Sequence, residues 1–191
     1  GGEKAVSGVK TLAMNGSTTI PQAPSPLTFT SKLDARGKML VSLSMGGMSL
    51  MKQVVNEKGA YIEQQGQKKN LEGADLVEMK ASATPFEELQ LRKNTALKVD
   101  GIEAVNGNDA YVIKDGKTTY YYDVKSGLKV SESKVREQAG QSITQVTNFN
   151  DYKEVKGIKF PHTFTVPMLG GAEFKVSEIK VNEGVTDADF K

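Results

Sequence analysis

The chain of 191 residues has no cysteine, no tryptophan and a single histidine, His162. Without cysteine there is no disulfide framework, no thiolate metal ligand and no thiol nucleophile. One histidine cannot assemble a His-Glu-x-x-His zinc site. An excess of either charge is missing as well. The 25 basic and 23 acidic residues leave +2 and are interspersed, so no broad basic face is offered to nucleic acid. No apolar run approaches the roughly 18 residues of a membrane span. The opening "GGEKAVSGVK" is not a signal peptide, and a start at Gly-Gly points to a mature or excised piece of a longer chain. No internal repeat or low-complexity linker divides the sequence. We read residues 1–191 as one domain, long enough to bury about two-thirds of its unfolded surface.

What is present is mostly β pattern. Runs of Val, Ile, Thr, Tyr and Phe recur between turn signals at Gly46-Gly47, Glu57-Lys58-Gly59, Gln65-Gly66, Asn106-Gly107, Asp115-Gly116, Ser126-Gly127, Gly140, Lys156-Gly157 and Gly170-Gly171. The close spacing predicts an antiparallel meander of about eleven strands, in a mainly β (α+β) fold. In "VIKDGKTTYYY" an Asp115-Gly116 turn places Tyr111 opposite Tyr120, so that Tyr111, Ile113, Tyr120 and Tyr122 share a face. Residues 71–91 break the pattern. There Leu76, Met79 and Ala83 fall at helical spacing, Pro85 opens a second turn, and Phe86 and Leu89 continue the apolar side. A further short helix is expected through Val6, Val9 and Leu12.

Four of the seven methionines lie within "MLVSLSMGGMSLM", residues 39–51. A two-residue turn at Gly46-Gly47 sets Met45 opposite Met48, Leu43 opposite Leu50, Val41 opposite Lys52 and Met39 opposite Val54. That face is apolar at every position except Lys52. The other face carries Leu40, Ser42, Ser44, Ser49, Met51 and Gln53. Met45, Met48 and Met51 stand three apart, and thioethers are soft ligands for Cu(I). Strict pleating nevertheless sends Met51 to the other face, and no histidine or cysteine is near, so no metal or other cofactor is assigned. An apolar sheet face needs a cover, whether helix, sheet or ligand. Methionine suits both an ordinary core and a pliable ligand lining.

No catalytic constellation emerges. There is no G-x-S-x-G elbow, phosphate loop or dinucleotide fingerprint after a predicted strand. His162 shares parity with Ile158, Phe160, Phe164 and Val166, as a packed sheet histidine does. Asp187 and Asp189 read as solvated charges at a helix start.

The segments "GGEKAVSGVKTLAMNGS", "SLSMGGMSLMKQVVNEKGAYI", "YYYDVKSGLKV", "FNDYKEVKGIKFPHTF" and "VSEIKVNEGVTDADF" carry a family resemblance along nearly the whole chain. The order of turn and packing motifs resembles the outer membrane lipoprotein-sorting (LolA-like) superfamily. The version it is most similar to is the C-terminal domain of insulinase-like zinc peptidases. Arg36 and Lys38 match a family turn whose proline and aromatic residues are absent here.

The resemblance implies a strongly curved antiparallel half-barrel whose concave side is closed by short helices, in the periplasm or cell envelope of a Gram-negative bacterium. It implies a noncatalytic module that holds lipid, lipoprotein acyl chains or an apolar peptide. The implied cavity lining is Met39, Val41, Leu43, Met45, Met48, Leu50, Val54, Tyr111, Ile113, Tyr120, Tyr122, Phe160 and Phe164, under a lid of Leu76, Met79, Phe86 and Leu89. The alternative it implies is a structural or docking accessory domain with a filled core, partnered by an upstream peptidase domain.

Overall fold

The computed structural model describes residues 2–21, 23–138 and 141–191. The turn expected at Gly140 lies outside them. Strands β1 (Thr11–Thr18), β2 (Leu27–Asp34), β3 (Lys38–Met45), β4 (Met48–Asn56), β5 (Gly59–Gln64) and β6 (Gln67–Asn70) follow a short helix α1 (Gly2–Ser7). Helices α2 (Gly73–Ala81) and α3 (Glu88–Leu91) come next. Strands β7 (Val99–Val105), β8 (Asn108–Asp115), β9 (Thr118–Asp123), β10 (Lys129–Gln138), β11 (Gln141–Val155), β12 (Ile158–Val166) and β13 (Ala172–Val181) complete the sheet. They hydrogen-bond in the order β6-β5-β4-β3-β2-β1-β13-β12-β11-β10-β9-β8-β7.

The mainly β antiparallel class expected from the turn spacing is present, with thirteen strands in place of about eleven. Short polar strands account for the shortfall. β6 is four exposed residues, Gln-Lys-Lys-Asn, with no hydrophobic alternation to read. Gly8 ends α1 early, so Leu12 belongs to β1 and not to a first helix. Contacts divide the chain into two compact units: Gly1–Leu89 with Glu154–Phe160 and Lys175–Lys191, and Gln90–Lys153 with Pro161–Phe174.

In the first unit one row of side chains runs in register across six strands: Val181, Leu12, Leu33, Met39, Val55 and Ala60. All six are buried. Val9, Leu71, Ala83, Ile158 and Phe160 join them, and Leu76, Met79 and Phe86 from the helical segment pack against the cluster. The ring of Phe86 lies 5.6 Å from that of Phe160. Gly16 is required where it stands, because a Cβ there would meet Lys175 O at 2.3 Å and Phe29 Cε1 at 2.4 Å.

The opposite face of the same strands has its own small core. Val54 and Tyr61, with Leu40 and Val185 beside them, enclose Phe190. A 3-10 turn over Asp187–Phe190 holds the plug in place, with Thr186 and Asp189 forming a reciprocal cap. Asn56 Nδ2 donates to Phe190 O at 2.8 Å and Tyr61 Oη to Lys191 O at 2.9 Å. Lys32 pairs with Asp189 at 2.5 Å, while Asp187 takes both Lys38 and Arg36 at 2.8 Å. Asp187 and Asp189 stand in the first turn of this helix, as expected, and both also clamp it through ion pairs; Asp187 is solvated and Asp189 is largely withdrawn from water. Arg36 and Lys38 are engaged in the same clamp, with Asp34 and Glu57 as their further partners.

In the second unit, β7 to β11 form a meander. The turn between β8 and β9 is centred on Gly116 and Lys117, which sets Tyr111 opposite Tyr122 and Ile113 opposite Tyr120. The register is two residues away from the Asp115-Gly116 reading. Positive φ falls on Gly116 (58°) and not on Asp115, the pattern of a turn with glycine first. A slip of two keeps parity, so the four residues still share a face.

Candidate functional site

The β3–β4 hairpin turns at Gly46 and Gly47, both with positive φ (55° and 83°), and Met45 faces Met48 as the two-residue turn demands. One position beyond Ser44 and Ser49 the register jumps, and Leu43 faces Met51. Leu50 is thus the extra residue of a β-bulge. Every pair below it moves by one. Met39 faces Val55, Val41 faces Gln53, and Val54 faces Leu40. The expected pairs Leu43–Leu50, Val41–Lys52 and Met39–Val54 do not form. Val54 belongs to the opposite face, in the Phe190 core. Met51, read as a neighbour of the serines, joins the methionine face.

The face of the first unit is consequently a ladder of rows. Beyond the buried row of Met39 comes Ile179, Met14, Ser31, Val41, Gln53 and Ile62, in which all but Ser31 are partly open. Phe29, Leu43, Met51 and Gln64 follow, then Leu27, Met45 and Met48. Exposure rises along β3 and β4. Met39 is 4% exposed, Val41, Leu43, Met45 and Met51 are half-buried, and Met48 is 71% exposed. Cover by the helical segment is concentrated at the Met39 end, where Ser82 Oγ lies 3.9 Å from Met39 Sδ. What this surface does chemically is exclude water and adapt in shape. Methionine, with three rotatable bonds and a polarizable sulfur, does the second better than leucine.

Of the residues expected to line a cavity, the structure brings Met39, Val41, Leu76, Met79, Phe86 and Phe160 into one cluster. Leu43, Met45 and Met48 continue the same face, while Leu89 is half-buried outside the cluster. In the second unit, Tyr120 is buried and Tyr111, on its face, stands exposed. The most enclosed residues of that hairpin, Ala110 and Val112, occupy the other face. Phe164 stacks on Phe174 at 5.7 Å. His162 is half-buried in β12. Met51 and Val55 were missed by strict alternation; the one signal for the bulge is the adjacent apolar pair Leu50-Met51 between Ser49 and Lys52.

Charges lie away from this surface, on the clamp. The Arg36 guanidinium bonded to Asp34 holds that carboxyl below its ordinary range, and Lys38 followed by Arg36 does the same for Asp187. Among the described residues, no group of three His, Cys, Asp or Glu side chains could hold a metal ion.

Compared with solved structures, the chain is similar to a LolA superfamily protein from Nitrosomonas europaea. The TM-score is 0.61 at 10% identity, covering 96% of this chain and 91% of the other. The fold is LolA-like. A protein domain from Vibrio parahaemolyticus, described as outer membrane lipoprotein-sorting, agrees, with a TM-score of 0.56 at 15% identity over 94% and 88% of the two chains. No family model matches the sequence, and no curated protein does. At these identities the LolA-like likeness speaks for the fold alone. No helix among the described residues is long and apolar enough to cross a membrane.

Proposed function

We propose that this chain is a noncatalytic module of the bacterial cell envelope, acting in the periplasm of a Gram-negative cell. It holds lipid, lipoprotein acyl chains or an apolar peptide against its methionine-bearing sheet face. One observation carries the reading: along β3 and β4 the face passes from closed at Met39 to open at Met48 without ceasing to be largely apolar, while Phe29 and Leu27 of the neighbouring β2 stay buried. A face that is only partly covered is suited to an added apolar occupant. The LolA-like fold supports it, since a neighbour with that fold is described as lipoprotein-sorting.

In this proposal the strands of the first unit curve around the ligand, and Leu76, Met79, Phe86 and Leu89 form a lid. Each methylene moved from water onto the face contributes about 0.8 kcal/mol. In the second unit, the face of Tyr111, Ile113, Tyr120 and Tyr122 offers, by itself, further surface to the same class of ligand, and Phe164 does so on its own strand.

Native mass spectrometry of protein purified without detergent from bacterial envelopes tests the proposal. A lipid-sized adduct is expected on the wild type and none on Leu43→Asp, which puts a carboxylate into the half-buried part of the face. Adduct-free spectra from the wild type sink the reading. A second reading, an accessory domain docked to a zinc peptidase, draws on the filled core at the Met39 row. Finding a His-x-x-Glu-His motif encoded upstream of residue 1 would support that context, and its absence would sink it.

A further inference from the structure

We propose that Met45, Met48 and Met51 form a binding site for a soft monovalent metal ion, Cu(I), at the open end of the β3–β4 hairpin. The bulge at Leu50 makes the site. Regular pleating would split the three thioethers between two faces, whereas the observed register puts Met45 opposite Met48 and Met51 opposite Leu43, on the same face. Directly opposed residues stand about 5 Å apart and diagonal ones about 7–8 Å apart. Met45 and Met51 are such a diagonal pair. Methionine side chains have the length and the torsional freedom to bring three sulfurs from these positions around one ion.

Access and selectivity follow from the surroundings. Met48 is 71% exposed, which gives an ion its way in. Ser44 and Ser49 pair with each other on the opposite face, so their hydroxyls supply no hard oxygen donors here. Gln53 Nε2 approaches Met51 Sδ at 3.7 Å, a weak contact that an ion readily replaces. Three neutral thioethers favour Cu(I) and offer little to Zn2+, Mg2+ or Ca2+. A thioether carries no proton to lose, so affinity is insensitive to mild acid, unlike that of a histidine site. This site shares Met45, Met48 and Met51 with the acyl-binding face but does not depend on that reading.

The test is titration of the full chain with Ag(I), a redox-inert analogue of Cu(I), followed by X-ray absorption at the metal edge. One equivalent should bind equally at pH 7 and pH 5, with three sulfur neighbours, and Zn2+ should not compete. Met48→Leu and Met51→Leu, close in volume to the wild type, should each weaken binding at least tenfold, and Met14→Leu should not. Absence of Ag(I) uptake, equal binding by Met51→Leu, a two-sulfur shell, or loss of binding at pH 5 overturns the site. Leu43→Asp separates the two proposals, because it should lose the lipid adduct and keep Ag(I).

Discussion

The two compact units bury their apolar side chains very unequally. Of the 22 buried apolar residues among those described, 18 belong to the first unit and only Ala110, Val112, Tyr120 and Phe174 to the second. The seven large apolar side chains that stand exposed divide the other way. Met48 and Val77 belong to the first unit, and Val99, Ile102, Tyr111, Ile143 and Val146 to the second. Since burial dominates stability, the first unit is where the fold is held. The second keeps its backbone hydrogen bonds with few packed side chains behind them, the condition under which segments open locally.

Substitutions can break this contrast. Phe160→Ala removes a ring that is 3% exposed and packed on Phe86, and should cost about 4 kcal/mol in denaturant unfolding. Val112→Ala in the second unit should cost about 2 kcal/mol, reading two lost methyl groups at about 0.8 kcal/mol each plus a small cavity, and less than Val55→Ala, the same change at an equally buried position of the first unit. Equal losses at the two valines would remove the distinction.

Acid sharpens it from the other side. Asp34, Glu57 and Asp187 have pKa values lowered by Arg36 or Lys38, so their contribution is fully present above the ordinary carboxylate range. It is lost as the pH falls below about 4, where the unfolded chain takes up protons first. Protection factors, taken against the slow intrinsic exchange at pH 3, should therefore fall around residues 186–191 and in β3 and β4, and by less in β7 to β9, where Asp100 and Asp123 are also held low by Lys114 and Ser126. Unchanged protection around the clamp would show that Phe190 holds the segment alone. The smallest effect is expected at Met48→Gln, which should alter stability by less than about 0.5 kcal/mol because the side chain is already in water.

Much of this molecule is legible in its residue order. Gly46-Gly47, Gln65-Gly66, Asn106-Gly107 and Lys156-Gly157 each place two successive residues at positive φ, and each is a two-residue hairpin turn. Parity then assigns most faces. What cannot be read is where parity breaks. Leu50 and Met51 are two adjacent apolar residues between Ser49 and Lys52, and either could be the extra residue without changing the pattern. That one residue decides whether Val54 or Val55 joins Met39, and on which side Met51 stands. The clamp on the last turn was hidden for another reason: Lys32, Arg36 and Lys38 meet Asp187 and Asp189 from about 150 positions away.

The pairing of β1 with β13 has a consequence in time. β1 is synthesised well before β13, yet they are neighbours. A growing chain can build β1 to β6 as successive hairpins while one side of β1 still presents bare amides and carbonyls. That side stays uncapped until residues 172–181 arrive. Throughout synthesis, and through any passage across a membrane, the nascent protein carries an adhesive strand that a chaperone must shield or its own tail must reach.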